Sequence, residues 1–285
     1  MHYNPYYDPI LKFTAEEANS TIKLNRTGTA TTLANASLQY STDNGETWND
    51  YTLWNAITLA NVGDSVKFKG TNTRLGINTS NYHNFVMTGK IKATGDVTSL
   101  FNEIGGDMEM QAYGCYNMFN GCTSLTTSPA LPSTTLAGYC YSNMFRGCTS
   151  LTTAPSLPAT TLANNCYTYM FYGCTSLTTA PELPSTTLAN YCYSSMFRGC
   201  TSLTTAPELP ATTLAKYCYQ SMFNECTNLN YIKAMFTTTP STTYTSNWVN
   251  GVASTGRFVK NSAAEWDVTG VHGIPNGWTV ETAAA

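Results

Sequence analysis

Asp43 and Glu46 sit inside Ser41-Thr42-Asp43-Asn44-Gly45-Glu46-Thr47-Trp48, a stretch combining carboxylates, hydroxyls and a tryptophan. Glycoside hydrolysis needs two carboxylates held across the scissile bond, one as acid and one as nucleophile or base. No such placed pair stands out here. The residue order predicts a hairpin instead: Asp43 accepts hydrogen bonds from the turn backbone, Gly45 supplies a positive φ, and Trp48 packs back on the sheet. A nucleophilic triad would need a histidine near a serine or cysteine, plus an acid. The three histidines are dispersed at His2, His83 and His272, each read as a surface or hydrogen-bonded group. The chain has no G-x-G-x-x-G or Walker-type loop to cradle phosphate. These residues predict no catalytic centre, cofactor or metal.

Ten cysteines are the next candidates. No C-x-x-C pair occurs, so zinc is disfavoured. Their spacing is the informative feature. Cys122, Cys148, Cys174, Cys200 and Cys226 follow one another at 26-residue steps, and so do Cys140, Cys166, Cys192 and Cys218. They belong to a 26-residue phrase that begins at Gly121, Gly147, Gly173 and Gly199 and decays after Glu225; its second copy reads GCTSLTTAPSLPATTLANNCYTYMFY. Most positions are identical in all four copies. A fixed period of this length marks a repeat array in which each unit buries its apolar face against its neighbours. Both cysteine positions are expected to point into the stack, Cys148, Cys166, Cys174 and Cys192 among them. A buried thiol behaves there as a small hydrophobe, which favours free thiols over disulfides.

Each unit divides in two. In the second half, Leu162 to Tyr172, the invariant Leu162, Ala163, Cys166, Tyr167, Met170 and Phe171 occupy one half-circle at helical spacing, and the varying residues occupy the other. With Thr160 and Thr161 placed as N-cap hydroxyls, and Gly147, Gly173 and Gly199 ending successive units as left-handed C-caps, this spacing predicts a helix of about three turns. The first half, CTSLTTAPSLP, is too short and proline-rich for a helix and reads as a strand followed by a proline turn. The expected architecture is an α/β solenoid, a leucine-rich-repeat-like array of strand–turn–helix units.

The phrase M-F-x-G-C-T-S-L-T-T-A-P, from Met144 to Pro155, resembles the A-F-x-x-C-x-x-L-x-x-I-x-I-P core of BspA-type leucine-rich repeats. Those repeats occur on surface proteins of gut and oral Bacteroidales and in similar proteins of their phages. The chain departs from that pattern in an extra C-Y-x-x turn and in Ala-Pro at the second aliphatic position. The resemblance implies an exposed, non-catalytic binding or adhesion role. The Ser41–Trp48 stretch is similar to the Asp-box, S-x-D-x-G-x-T-W, of sialidase propellers, where the motif shapes a hairpin away from the catalytic centre. A glycoside-processing enzyme is therefore kept only as a remote alternative.

Flanking sequence sets the domain plan. Residues 1–97 contain short alternating runs (LKFTAEE, STIKLNR, SVKFKG, NFVMTGKIKA) separated by turns such as Asp43-Asn44-Gly45, which predicts a small antiparallel β-sandwich. Residues 98–235 form the array with its four full copies at 121–224, opened by a half-repeat from Tyr113 to Cys122. Residues 236–285 read as a β-rich cap: Ser246 to Val252 as a short helix, GRFVKN and GWTVE as paired strands.

The candidate binding residues are the tyrosines and the varying positions. Tyr141, Tyr167, Tyr193 and Tyr219 fall at the edge of the buried arc and are expected to pack, while Tyr139, Tyr191 and Tyr217 fall on the free arc and suit a sugar or protein partner. Arg146, Tyr172, Arg198 and Asn224 share one varying position; Ala130, Ser156, Glu182 and Glu208 share another. Variation over a fixed frame fits a binding scaffold and equally fits drift after duplication. A net charge of −3 gives no sign of nucleic acid as partner, and nothing points to a small-molecule substrate. No signal peptide is visible, and no apolar run nears the ~20 residues that span a bilayer. The expectation is a non-enzymatic surface protein that binds a protein or glycan receptor on a bacterial envelope or phage virion, with the Met start favouring the virion. A purely structural virion or envelope part is the alternative.

Overall fold

The computed structural model describes residues 8–29 and 33–283, so His2 lies outside the described residues. The alternating N-terminal runs form strands: β1 (Leu11–Ala15), β2 (Ser20–Thr27), β3 (Leu38–Ser41), β4 (Asn49–Asp50), β5 (Ile57–Leu59), β6 (Ser65–Gly70), β7 (Gly76–Asn78), β8 (Asn81–Thr88) and β9 (Ile91–Thr94). Period-two burial fixes their register: Leu11, Phe13 and Ala15 of β1 and Ile22 and Leu24 of β2 are buried while the residues between them are not. One sheet has the order β5-β2-β8-β7. The other runs β10-β9-β1-β6-β3-β4, where β10 (Leu125–Thr127) comes from the first repeat copy and pairs parallel with β9. Phe13 lies 5.0 Å from Phe85 and 5.9 Å from Phe68, joining β1, β6 and β8 in one core. Phe85 also stacks on Phe119 at 5.4 Å and 11°, so the core runs into the repeats without a break.

The expected strand–helix solenoid is not what the repeats form. Among the described residues the one α-helix is α1 (Ser99–Asn102), ahead of the four full copies. The segment read as a helix, Leu162 to Tyr172, is a row of overlapping turns. Every fourth residue is left-handed: Asn165 (φ 60), Tyr169 (φ 58) and Gly173 (φ 70), matched in neighbouring copies by Tyr139, Asn143 and Gly147 and by Tyr191, Ser195 and Gly199. A right-handed helix cannot contain such residues at that spacing.

The backbone hydrogen bonds confirm the rows. Alternate N–H groups close turns within a row, as Cys166 to Ala163, Thr168 to Asn165 and Met170 to Tyr167. The intervening ones reach the next row: Asn165 donates to Asn190, Tyr167 to Cys192, Tyr169 to Ser194 and Phe171 to Met196, at 2.9–3.1 Å. Thr160 and Thr161 therefore cap no helix, and Gly147, Gly173 and Gly199 stop none; each glycine is the last left-handed residue of its row. The invariant positions repeat at a strict spacing of four, which over eleven residues is nearly indistinguishable from 3.6. The two-sided pattern is real, but the backbone that carries it is a row of turns and not a helix.

The proline half of each copy is no regular strand either. After β10 it is linked to its neighbours by single parallel bridges, Thr153 to Thr179 and Thr135 to Thr161 to Thr187. Between the two halves lies a laddered interior. Phe119, Phe145, Phe171, Phe197 and Phe223 stack at 5.5–5.8 Å, and Tyr141, Tyr167, Tyr193 and Tyr219 at 5.9–6.1 Å. These tyrosines are buried, in the packing role expected of them.

The ten cysteines are buried free thiols. One column also bonds across rows: the thiols of Cys122, Cys148, Cys174, Cys200 and Cys226 donate to the carbonyls of Phe85, Phe119, Phe145, Phe171 and Phe197 at 2.9–3.2 Å. The Phe85 carbonyl thus takes the place of a preceding row.

At the C-terminal end the stack continues where the repeated letters do not. Tyr219, Ser221 and Phe223 donate to Tyr244, Ser246 and Trp248, with Asn247 and Gly251 left-handed in register. The closing helix expected over Ser246 to Val252 is another row of turns. Strands β11 (Tyr231–Ala234), β12 (Arg257–Lys260) and β13 (Thr279–Thr282) form a three-stranded parallel sheet. Trp248, Trp266 and Trp278 each donate an indole N–H to a carbonyl, those of Gly273, Phe236 and Ala253. The last N–H acceptors are improvised: Asn247 donates to the Nδ1 atom of His272 at 3.0 Å, where other rows offer a carbonyl.

Two stability predictions follow from the rows. A Cβ at Gly173 would meet nothing nearer than Gly147 Cα at 4.0 Å, so its cost is conformational and not steric. Gly173→Val should lower unfolding free energy by about 1–3 kcal/mol in urea titrations, and Gly173→Glu by less, since Glu225 already holds that position at φ 65. Burial pushes the Cys174 thiol from its ordinary 9.0 up to about 12, and Cys122, Cys166, Cys218 and Cys226 likewise. The unfolded chain therefore releases these protons first. Their contribution is complete below pH 9 and is lost as pH rises toward 12, a decline that Cys174→Ala should make shallower.

Candidate functional site

The residues singled out by sequence fall in three places. Tyr139, Tyr191 and Tyr217 occupy the first left-handed position of their rows, with φ of 60°, 57° and 55°. Tyr113 (φ 59) begins the half-repeat row in the same way, and only the middle row has asparagine there, Asn165. A bulky side chain in this conformation costs about 1–2 kcal/mol, which asparagine or glycine largely avoids. The rings pair across rows: Tyr113 on Tyr139 at 4.8 Å and 4°, Tyr191 on Tyr217 at 4.8 Å and 29°. All four are half-buried, with their flanks in the turn surface.

The second group lies farther along the same rows. Arg146 sits 4.9 Å over the Tyr172 ring and Arg198 sits 5.5 Å from it on the next row, so one phenol separates two guanidiniums. Tyr169 completes the cluster, edge-on to Tyr172 at 5.9 Å and 5.9 Å from Arg146. Arg198 also pairs with Glu225 at 3.1 Å. Burial and the phenols of Tyr82 and Tyr113 raise the Tyr116 pKa, and nearby Arg146 partly offsets this, which ties the cluster to the Tyr113–Tyr139 pair.

Glu182 and Glu208 join neither group. They line a cleft of about 410 Å³ on the proline half of the copies, with Pro181, Leu183, Pro184, Pro207 and Pro210. Glu208 is paired with Lys233 at 3.0 Å. The structural residues stand at the rows' inner side: Cys148, Cys166, Cys174 and Cys192 are fully buried, and Gly147, Gly173 and Gly199 donate across rows at 2.7–2.8 Å.

Sequence reasoning missed Tyr113 and Tyr169. The first was within reach, because aligning Cys115 with Tyr141 places Tyr113 at Tyr139. The second varies between copies (Asn143, Tyr169, Ser195, Ser221) and becomes prominent only once its position is known to be left-handed and outward.

The remaining candidates are committed to structure. Both Asp43 oxygens serve the turn between β3 and β4: Oδ1 accepts from Ser41 Oγ at 2.7 Å and Thr47 N at 2.9 Å, and Oδ2 from Thr47 Oγ1 at 2.5 Å. The Thr47 bonds above all hold this carboxyl well below the usual carboxylate range, the reverse of what a general acid needs. His83 is buried, with Nδ1 3.1 Å from the Leu75 carbonyl. His272 serves Asn247. No group of three or more histidine, cysteine or acidic side chains among the described residues is arranged to hold a metal ion. No helix among them is long and apolar enough to cross a membrane.

Comparison with known families, with curated proteins and with solved structures finds no match for this chain.

Burial lowers the His83 pKa from 6.5 to about 4, so the unfolded chain takes up this proton first as pH falls. The His83 contribution is whole above pH 6.5 and is lost on descent toward pH 4. His83→Gln should flatten that part of the stability profile in urea unfolding.

Proposed function

We propose that this chain is a non-enzymatic binding or adhesion protein that engages a protein or glycan receptor through the turn rows of its stacked repeats. The supporting observation is the run of tyrosines at left-handed positions. Tyr113, Tyr139, Tyr191 and Tyr217 each hold a conformation that their side chain disfavours, at a place where Asn165 shows a cheaper residue fits. Persistent strain with partly open rings is characteristic of surfaces kept for recognition rather than stability. The interior columns are invariant while the positions of Tyr169 and of Arg146, Tyr172 and Arg198 change from row to row and reach the surface in those rows, although Asn143, Ser195 and Asn224 at the same positions are buried. A constant frame under a changing surface suits a scaffold for recognition. Resemblance of the phrase to BspA-type repeats agrees with exposure on a bacterial envelope or a phage virion.

The test uses Tyr191→Asn together with Tyr217→Asn, which reproduces the Asn165 row. Screened on a glycan and surface-protein panel, the double variant should bind the captured ligand about tenfold more weakly. Its thermal midpoint should be unchanged or raised, because strain is removed. Unchanged binding would move recognition off this face. A panel that captures no ligand, with fixed copy number in purified particles, would instead identify a structural part.

A further inference from the structure

The four repeat copies, residues 121–224, contain five charged side chains, and the fold sorts them by sign. The cations, Arg146, Arg198 and Lys216, all stand on the turn rows. The acids, Glu182 and Glu208, both stand on the proline half. Each cation also rests against a phenol: Arg146 and Arg198 on either side of Tyr172 at 4.9 and 5.5 Å, and Lys216 5.3 Å from Tyr217. Glu225 engages Arg198, while among the described residues no carboxylate is paired with Arg146 or Lys216.

We infer that the turn rows bind an acidic polysaccharide, one whose carboxylate-bearing sugars recur at intervals between neutral ones. This rests on the turn face being the binding surface, and it names the chemical class of the partner. The tyrosine faces are taken by one another and by the cations, so the rings meet a sugar through their edges and phenol hydroxyls, which hydrogen-bond sugar hydroxyl groups. The Arg146 guanidinium offers paired N–H donors to a carboxylate, held in place by the ring beneath, and Arg198 offers those that Glu225 leaves free. Rows stack at roughly 4.8 Å, so Arg146 and Arg198, two rows apart, stand about 10 Å from each other along the stack. The site is thus itself a periodic object with charges spaced between aromatic rows, and a polymer of alternating neutral and acidic sugars has the same construction. Nucleic acid is a poorer fit, because its charge is dense and its affinity comes from neutralising many phosphates at once. Three cations on a chain of net charge −3 do not supply that.

The experiment immobilises hyaluronan, polygalacturonate, neutral dextran and poly-dT, and adds the intact chain. Expected is binding to an acidic polysaccharide about tenfold tighter than to dextran, weakened by added salt for the acidic polymers alone. Arg146→Gln with Arg198→Gln should forfeit that preference and leave dextran binding and the thermal midpoint unchanged. Lys216→Gln, on an exposed side chain, gives an independent smaller loss if the arginine pair proves unstable. Equal, salt-insensitive binding of dextran and the acidic polymers would overturn the inference and keep the wider binding reading. Preference for poly-dT, or capture of a protein receptor with no polysaccharide bound, would also overturn it. If neither these polymers nor the protein panel is captured, both readings fall.

Discussion

Half of the backbone N–H groups in every turn row have no acceptor within the row. Tyr141, Asn143 and Phe145 find theirs on Cys166, Thr168 and Met170, and the same holds from row to row. A helix satisfies its backbone internally and can in principle stand alone, but a row of this kind cannot. Adding a row satisfies the donors of the one before it, buries a phenylalanine and a tyrosine against their copies, and accepts nothing from a row not yet formed. Stability is therefore shared between neighbours, and the invariant letters of the repeat are the ones that make this sharing possible. Left-handed residues at every fourth position turn alternate N–H groups toward the next row; Gly147, Gly173 and Gly199 adopt that conformation without steric cost, and Glu225 holds it at φ 65.

This arrangement has a direction, and the two ends meet different needs. Carbonyls face the N-terminal end and require donors; N–H groups face the C-terminal end and require acceptors. At the first, Phe85 donates to Met118 and Leu75 to Gly114, so β8 and the segment before β7 stand in for a missing row. The antiparallel sheets are thus a continuation of the stack and not a module tethered to it, as the Phe85–Phe119 ring contact also indicates. At the second, an imidazole nitrogen from His272 and the carbonyls of His272 and Gly273 receive Asn247, Thr245 and the Trp248 indole. Tryptophan suits this place because it closes the column with a large apolar face and carries a single donor to settle.

How much of this was legible depended on whether a residue's burial or its backbone carried the signal. Burial was readable: the cysteine columns, the Tyr141 column and the inward Phe13 and Ile22 of the strands follow from periodicity and residue type. Backbone was not. A spacing of four over Leu162 to Tyr172 satisfies a helical wheel almost as well as a turn row, and the deciding residues, Asn165 and Tyr169, differ from copy to copy. Asparagine, serine and glycine recurring at the varying positions were the available hint, since all three are common where turns are made. Tyrosine at the same positions concealed it. For the site, the arc read as free contains the half-buried Tyr139, Tyr191 and Tyr217 but also Asn143, Thr168 and Ser195, which the turn rows bury. The pairing of Arg146 and Arg198 about Tyr172, and the separation of Glu182 and Glu208 from them, required knowing which half of each copy faces where.

The tyrosines that hid the turns bear directly on function. In a stack whose rows are nearly identical, any residue that is costly in its backbone conformation is costly several times over, and duplication would copy a neutral solution as readily as an expensive one. Asn165 is such a neutral solution, present in one row only. The flanking rows keep Tyr139 and Tyr191 at the strained position, and bring cations to rest on neighbouring phenols along the same face. Packing alone does not account for this, because Asn165 leaves the Phe145, Phe171 and Phe197 column beneath it unbroken, at 5.6–5.7 Å. What the strained rings add is two stacked pairs, Tyr113 on Tyr139 and Tyr191 on Tyr217, on either side of Asn165 and outside a core that does not need them. That separation of a surface's cost from the fold's requirements is the physical ground for reading this face as one that meets a partner.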